Sequence, residues 1–281
     1  DALSRPYRIQ QHELHLSACI GIALAQGGEH PAPRLIQQAD MAMYKAKRRG
    51  RRTCELFTQD INDKLTRRMQ LRNDLEAALH AEQFELYYQP LIHREGGGVA
   101  GCEALVRWHH PERGFISPAD FIPLAEETGL IVPLGRWILE RACRDFRLLR
   151  ERGLSDCRVA VNLSPLQFNR PDFFKSLCQT LEATGLPPQG LELEMTEGVL
   201  LDGSDGALET LHALRGLSVS VAIDDFGTGF SSLSYLRHMP VNKLKIDRSF
   251  VNHIVENDKD AAIVEGIITL AHRLEMEVVA E

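Results

Sequence analysis

Two adjacent carboxylates, Asp224 and Asp225, follow an apolar run and precede a loop with glycines at positions 227 and 229. The run, residues 219–223, is typical of a buried strand. Carboxylates at the end of a buried strand cost free energy unless a cation meets them, so the motif indicates a divalent metal site. Taken alone, it fits an ordinary turn before a helix equally well, because the serine pair after the loop could cap one.

Five further strand-like runs end in polar residues suited to a metal or a phosphate. With the run before Asp224 included, the polar residues that follow the six runs are, in chain order, Glu103, Asn162, Glu194, Asp224, Lys245 and Glu281. They are spaced 59, 32, 30, 21 and 36 positions apart, which fits one strand, one helix and two loops per step. In a (β/α) barrel the carboxyl ends of the strands meet at one mouth, where active sites lie. We therefore expect four carboxylates, an amide and a lysine at one mouth, a set suited to metal ions and a phosphate ester.

A phosphodiester is negatively charged and resists attack by hydroxide. Two metal ions about 3.5–4 Å apart can bind its oxygens, generate the hydroxide and stabilise the leaving alkoxide. Mg²⁺ and Mn²⁺ prefer oxygen ligands. The ligands predicted for such a two-metal site are Glu103, Asn162, Glu194, Asp224 and Asp225. Since neighbouring strand residues point to opposite faces, both aspartates can bind only if the strand has ended between them.

Lys245 is the cation predicted at this mouth. Its ammonium group could neutralise the phosphoryl oxygens or hold the attacking water, which would make it a catalytic residue. The alternative is a structural salt bridge with Asp224 at the barrel mouth.

The segment Cys102–Trp108, with Glu103-Ala-Leu105 inside it, resembles the signature of the EAL phosphodiesterase family. The resemblance covers roughly residues 66–281 and continues through Tyr88–Pro90, Ser117–Glu126, Val161–Ser164, Glu194–Glu197, Asp224–Gly227 and Lys245–Asp247. It implies a TIM-like barrel and the hydrolysis of cyclic di-GMP to linear pGpG with Mg²⁺ or Mn²⁺.

The same resemblance implies roles for four further residues. Glu281 matches the position of the general base, and Glu197 matches a glutamate that anchors the loop after Asp225. Gln89 and Arg107 match positions that contact the dinucleotide, and the guanidinium fork of an arginine suits a phosphate. Members of the family dimerise through the barrel near that loop, so a homodimer is expected.

Two other functions compete with the enzyme. One is a catalytically inactive receptor module that binds cyclic di-GMP, and the other is a signalling scaffold that acts only through the connector helix. The residues that inactive members of the family lose are intact here, which favours the enzyme.

Residues 1–57 resemble the last third of a GGDEF diguanylate cyclase domain, most closely over Ala39–Lys47. The signature loop of that family is absent, and only Lys47 remains of its nucleotide site. The pattern predicts a strand over 15–23, a helix over 33–48 and a closing strand over 54–57. Residues 58–80 are predicted to form a connector helix, and residues 81–281 the EAL domain.

In the barrel, residues 84–89 are the first predicted strand and residues 99–108 the second. Helices are predicted from Pro118 onward and over 133–152, 171–183, 205–214 and 258–274. This alternation favours a parallel barrel. The strand that ends at Glu281 is only the seventh, so the barrel is expected to be truncated at its C-terminal end. We expect residues 1–281 to be a fragment of a tandem GGDEF–EAL protein, inactive on its own although its parent is active.

The charge of the chain is uneven. Its net charge of −7 divides into +5 over residues 1–68 (12 Lys and Arg against 7 Asp and Glu) and −12 over the rest (20 against 32). An acidic barrel does not bind nucleic acid polymers, which require a cationic surface, but metals could invert the local sign for a small dinucleotide. No apolar run approaches the length of a membrane span. We expect a cytoplasmic protein, or the cytoplasmic part of a membrane-anchored sensor.

Overall fold

The structure of the chain is a computed structural model. It describes residues 7–9, 12–14, 17–25, 31–49, 53–154, 156–198, 205–227, 236–237 and 239–280. The chain divides into two compact units, residues 1–74 and 75–281. We describe each unit by itself.

Among the described residues, the first unit contains two small sheets, one complete long helix and most of a second. Strands β1 (Tyr7–Ile9) and β2 (His12–Leu14) pair antiparallel. Strands β3 (Ile20–Ile22) and β4 (Cys54–Leu56) pair in parallel and are joined by helix α1 (Ala32–Arg49). The predicted helix and closing strand are confirmed, whereas the predicted first strand is shorter than expected and its residues 15 and 16 lie outside the described residues.

Gly21 allows β3 to lie directly against α1. A Cβ atom at this position would lie 2.0 Å from the backbone oxygen of Ala39 and 2.3 Å from the backbone nitrogen of Met43. Only glycine can bring a strand this close to the helix backbone, so this residue is needed for the β3–α1–β4 packing.

Helix α2 (Gln59–His80) follows, and it confirms the helix predicted for the connector. The division between the two units falls inside this helix. The domain boundaries predicted at residues 57 and 80 remain predictions.

The second unit is built on one mixed sheet. Its strands are β5 (Phe84–Ile92), β6 (Val99–His110), β7 (Gly114–Ile116), β8 (Arg158–Asn162), β9 (Leu191–Thr196), β10 (Ser220–Phe226), β11 (Lys243–Ile246) and β12 (Glu277–Ala280). Their order across the sheet is β12–β11–β10–β9–β8–β6–β5, and β7 pairs only with β6. Apart from the short β7, β12 is the seventh strand, as the sequence predicted.

The direction of the first strand differs from the prediction. Strands β6 and β8 to β12 form one parallel ladder, but β5 and the short β7 are antiparallel to β6. The reason is the connection of six residues, 93–98, because a parallel crossover needs a dozen residues or more. The parallel barrel is therefore correct for six strands and wrong for β5.

Helices follow most of the parallel strands and pack against the sheet. They are α3 (Pro118–Thr128), α4 (Ile131–Glu151), α5 (Pro165–Phe168), α6 (Phe173–Thr184), α7 (Asp205–Gly216), α8 (Arg248–Val251) and α9 (Asp258–Arg273). Helix α4 packs on β8, α7 on β10 and α9 on β11. The long helices lie within two residues of the predicted ranges. None of the described helices is both long and apolar enough to cross a bilayer.

Candidate active site

Lys245 lies at the centre of a cluster of carboxylates. Its side chain is 1% exposed. Its Nζ atom lies 2.8 Å from Glu194 Oε2, 3.1 Å from Asp224 Oδ1 and 3.4 Å from Glu103 Oε2. These four residues come from strands β11, β9, β10 and β6. The structure therefore brings together four of the residues that the sequence spacing predicted at one mouth.

Asn162 joins this cluster through Glu103. Its Nδ2 group donates a hydrogen bond of 2.7 Å to Glu103 Oε1, which leaves its amide oxygen available as a ligand. Glu103 does not lie at the end of its strand, because β6 continues to His110. It lies one residue before the end of the parallel ladder, however, since the last pair of β6 with β8 is Ala104 with Val161. Beyond that point β6 pairs only with β5 and β7.

The two aspartates are brought together by an irregularity within β10. The strand was expected to end between Asp224 and Asp225, but it continues to Phe226. Its pairing with β11 shifts between Ile223 and Phe226, and Asp225 adopts a left-handed φ of 52°. This conformation interrupts the alternation of side chains that regular strands impose. The Asp225 N–H donates to Asp224 Oδ1 at 3.0 Å.

The carboxyl group of Asp225 also meets a second acid. Its side chain is hydrogen-bonded to Asp247, which lies at the start of α8. Burial and the neighbouring charge of Asp224 raise the pKa of Asp225, with Asp247 adding to the effect. Two acids can share a hydrogen bond only when one carries a proton, so this contact marks an excess of negative charge.

Charge in the cluster is not balanced by Lys245 alone. Burial acts to lower the pKa of Lys245, but the carboxylate of Glu194 and two further acids outweigh it and raise the pKa above its usual value. Burial raises the pKa of Glu194 to about 8, although Lys245 acts in the opposite direction. The lysine therefore stays charged at neutral pH, while the raised pKa of Glu194 shows that its carboxyl group favours a proton or an additional cation.

The donor set fits a hard divalent cation. Glu194 Oε1 is buried and has no hydrogen-bond partner among the residues described. Four carboxylates and an amide oxygen are the ligands that Mg²⁺ and Mn²⁺ prefer. Within the described ranges, no three His, Cys, Asp or Glu side chains are already arranged to hold a metal ion. The acids are directed instead to Lys245 and Asp247, so binding a metal requires them to turn away from these partners.

Gln89 and Arg107 lie on the hairpin that borders the cluster. Gln89 is opposite Glu103 in the β5–β6 register. Arg107 lies four residues beyond Glu103 on the same face, about 13 Å farther along the strand. Its guanidinium carbon is 5.5 Å from the centre of the exposed Tyr87 ring. The two predicted contact residues therefore lie on the same hairpin, Gln89 beside the carboxylate cluster and Arg107 farther away from it.

Two predicted residues are not joined to the cluster by the described contacts. Glu197 is buried, and neither of its carboxylate oxygens has a hydrogen-bond partner among the residues that the structure describes. Most of the loop that it is predicted to anchor lies outside those residues, as does Glu281. Their roles stay predictions.

Two polar residues near the site, Glu192 and Lys243, were missed by the sequence reasoning. Asp247 was recognised as a polar residue after its strand, but its contact with Asp225 depends on the tertiary fold and was not predicted. Glu192 and Lys243 form a buried ion pair of 2.8 Å, two residues before Glu194 and Lys245. The signal was present, since the alternation Glu-Leu-Glu in β9 and Lys-Leu-Lys in β11 places both acids, and both lysines, on one face.

Fold and site together define an α/β barrel-type protein with an acidic, lysine-containing cluster where its parallel strands end. A family model described as "EAL domain" matches residues 72–281, and one described as "Diguanylate cyclase, GGDEF domain" matches residues 1–53. The chain belongs to the EAL domain family and carries part of a GGDEF domain at its start.

Curated relatives and a solved structure agree with this assignment. The chain is 44% identical over 279 residues to "Bifunctional diguanylate cyclase/cyclic di-GMP phosphodiesterase MucR" of Pseudomonas aeruginosa, covering 99% of this chain and 41% of that protein. It is 39% identical over 279 residues to "Cyclic di-GMP phosphodiesterase NbdA" of the same organism, covering 99% of this chain and 36% of that protein. The chain therefore spans less than half the length of these relatives.

The solved structure "PaMucR Phosphodiesterase, c-di-GMP complex" superposes with a TM-score of 0.72 at 45% identity, covering 75% of this chain and 85% of that chain. This similarity confirms the TIM-like barrel fold.

Proposed function

We propose that the EAL domain of this protein hydrolyses cyclic di-GMP to linear pGpG in bacterial second-messenger signalling. The observation that carries this proposal is the cluster itself, in which a buried lysine and four strand-borne oxygen donors meet where the parallel strands end. The names of MucR and NbdA, and the ligand named for the PaMucR structure, identify the substrate class.

Mg²⁺ or Mn²⁺, as a two-metal site, is the cofactor that we propose. Its ligands would be Glu103, Asn162, Glu194, Asp224 and Asp225, and the buried free oxygen of Glu194 supports the assignment. When bound, divalent ions supply charge neutralisation at the phosphodiester and acidify the attacking water.

The residues of the chain divide the remaining work. Lys245 stays protonated, so it acts as a cation and hydrogen-bond donor toward a phosphoryl oxygen and not as a base. Gln89 and Arg107 bind the rest of the dinucleotide along the β5–β6 hairpin. We assign the general base to Glu281 and the anchoring of the loop after Asp225 to Glu197.

The test is a chromatographic assay of the complete EAL domain with cyclic di-GMP and Mn²⁺. We expect pGpG to appear, EDTA to stop its formation, and Ca²⁺ to inhibit, because its larger radius and looser coordination disturb a site built for a smaller ion. Full activity in EDTA would exclude the metal. Binding of cyclic di-GMP without turnover would instead support the inactive receptor, and the absence of both would leave the scaffold.

We also propose that the protein forms a homodimer through its EAL domain and acts in the cytoplasm. The family resemblance supports the dimer. Light scattering at micromolar concentration should give twice the monomer mass, and a monomer at every concentration would contradict this expectation.

A further inference from the structure

A second ion pair lies beneath the cluster and repeats its geometry. Lys243 Nζ lies 2.8 Å from Glu192, just as Lys245 Nζ lies 2.8 Å from Glu194. In each case a lysine of β11 reaches an acid of β9 across the intervening strand β10. Because residues two apart on a strand share a face, the two pairs lie one level apart, at a spacing of about 6.6 Å.

Ala222 of β10 makes this crossing possible. In the parallel register it is opposite Glu194 on one side and Lys243 on the other, and it is fully buried. On the same face, Ser220 lies two residues before Ala222 and Asp224 two residues after it. Ser220 contacts Glu192 of the lower ion pair, and Asp224 contacts Lys245 of the upper one. Between them, the single methyl group of Ala222 leaves space for long side chains to pass over the strand.

In the lower ion pair, Glu192–Lys243, both carboxylate oxygens of the glutamate have partners. In the upper pair, Glu194–Lys245, one glutamate oxygen has no partner among the described residues. Both oxygens of Glu192 are engaged, Oε1 by Lys243 at 2.8 Å and Oε2 by the Ser220 hydroxyl at 3.0 Å. Glu192 is 1% exposed, and among the described residues Lys243 reaches one further acid, Glu277 at 3.7 Å. The lower pair therefore has no free ligand atom on Glu192 and does not resemble a second active site.

We propose that Glu192 and Lys243 are positioning residues for the reaction. Their ion pair ties β9 to β11 and fixes the height at which Lys245 meets Glu194. Without it, the register of the two strands across β10 loosens, and the Lys245 ammonium moves relative to its three carboxylates. The kinetic part of the test rests on the proposed function, whereas the structural part does not.

The decisive variant is Lys243→Met, which keeps the length of the side chain and removes its charge. We expect kcat for cyclic di-GMP to fall on the order of 10- to 100-fold, as when a supporting partner of a site is lost, with KM changed by less than about threefold. The buried amine of Lys245 should react roughly tenfold faster with an acylating reagent, measured by mass spectrometry, because local opening exposes it. Lys243→Arg should restore both values, because it retains the ion pair.

The controls separate this role from general stability. Lys259→Met makes the same chemical change at an exposed position of α9 and should leave kcat and Lys245 labelling unchanged. Glu192→Gln keeps the shape of the side chain and its contact with Ser220, so it decides the question if Lys243→Met does not fold. Its effect should have the same direction and be smaller.

The outcomes are distinct. If Lys245 stays protected and kcat stays within about threefold in both Lys243→Met and Glu192→Gln, the positioning role is wrong while the proposed function stands. If the complete wild-type EAL domain does not hydrolyse cyclic di-GMP, the proposed function is wrong. The labelling of Lys245 then decides the positioning role by itself.

Discussion

Replacing Glu194 by glutamine should stabilise the metal-free protein. Burial raises the pKa of Glu194 from 4.5 to about 8 in the folded state. A carboxyl group whose pKa is higher in the folded than in the unfolded state contributes stability below the unfolded pKa, and this contribution is lost as the pH rises toward the folded pKa. Glutamine does not titrate, so Glu194→Gln avoids this loss. Its amide oxygen can still accept from Lys245.

The size of the effect follows from the pKa shift. Between pH 4.5 and 7 the wild type loses about 3 kcal/mol at this residue, at roughly 1.4 kcal/mol for each pH unit. In EDTA at pH 7, Glu194→Gln should therefore raise the melting temperature by roughly 6–12 °C. The gain should shrink toward zero at pH 4.5.

Tryptophan fluorescence is the appropriate assay, because both tryptophans of the chain, Trp108 and Trp137, lie in the second unit. Glu265→Gln is the matched control, since it makes the same change on an exposed part of α9 and should not alter the pH dependence. With Mn²⁺ at about 1,000 times Kd the order should reverse, because only the wild type keeps this carboxylate ligand, and binding then adds roughly 4.1 kcal/mol, more than the advantage of the variant. A variant no more stable than the wild type in EDTA between pH 7 and 8 would refute the reasoning.

Four further substitutions test the assigned roles. Glu103→Ala and Asp224→Ala each remove a metal ligand and should reduce turnover to about 1% or less, while calorimetry still detects weakened binding of cyclic di-GMP. Glu197→Ala should lower the Mn²⁺ affinity more than the melting temperature, and an unchanged affinity and rate would contradict the anchoring role. Arg107→Ala removes a charged contact and should raise KM roughly 10- to 100-fold with little change in kcat, so steady-state kinetics that show the reverse would place Arg107 in the chemical step.

Strand-borne site residues could be predicted because their positions depend on local patterns. The spacing of polar residues after apolar runs placed Glu103, Asn162, Glu194, Asp224 and Lys245 near one another, and the structure joins all five through direct contacts. The helix ranges followed in the same way from apolar periodicity and from Ser117-Pro118 at the start of α3.

Other features depend on interactions that no local pattern records. The end of the parallel β6–β8 ladder one residue past Glu103 depends on the register of these two strands, and the bulge at Asp225 requires a shift in pairing with β11. The contact between Asp225 and Asp247 joins β10 to the start of α8, which only the fold brings together. By contrast, the antiparallel β5 could have been predicted, since six residues cannot make a parallel crossover.

The two levels beside Ala222 show how one framework gives either a structural ion pair or a reactive site. In both, a lysine of β11 meets an acid of β9 at 2.8 Å. The difference lies in the third residue, because β10 supplies the neutral Ser220 below and the charged Asp224 above. With Glu103 added from β6, the upper lysine faces three acids, and no single ammonium can neutralise them. The excess negative charge around Lys245, and not the lysine–glutamate pair itself, therefore favours the binding of further cations.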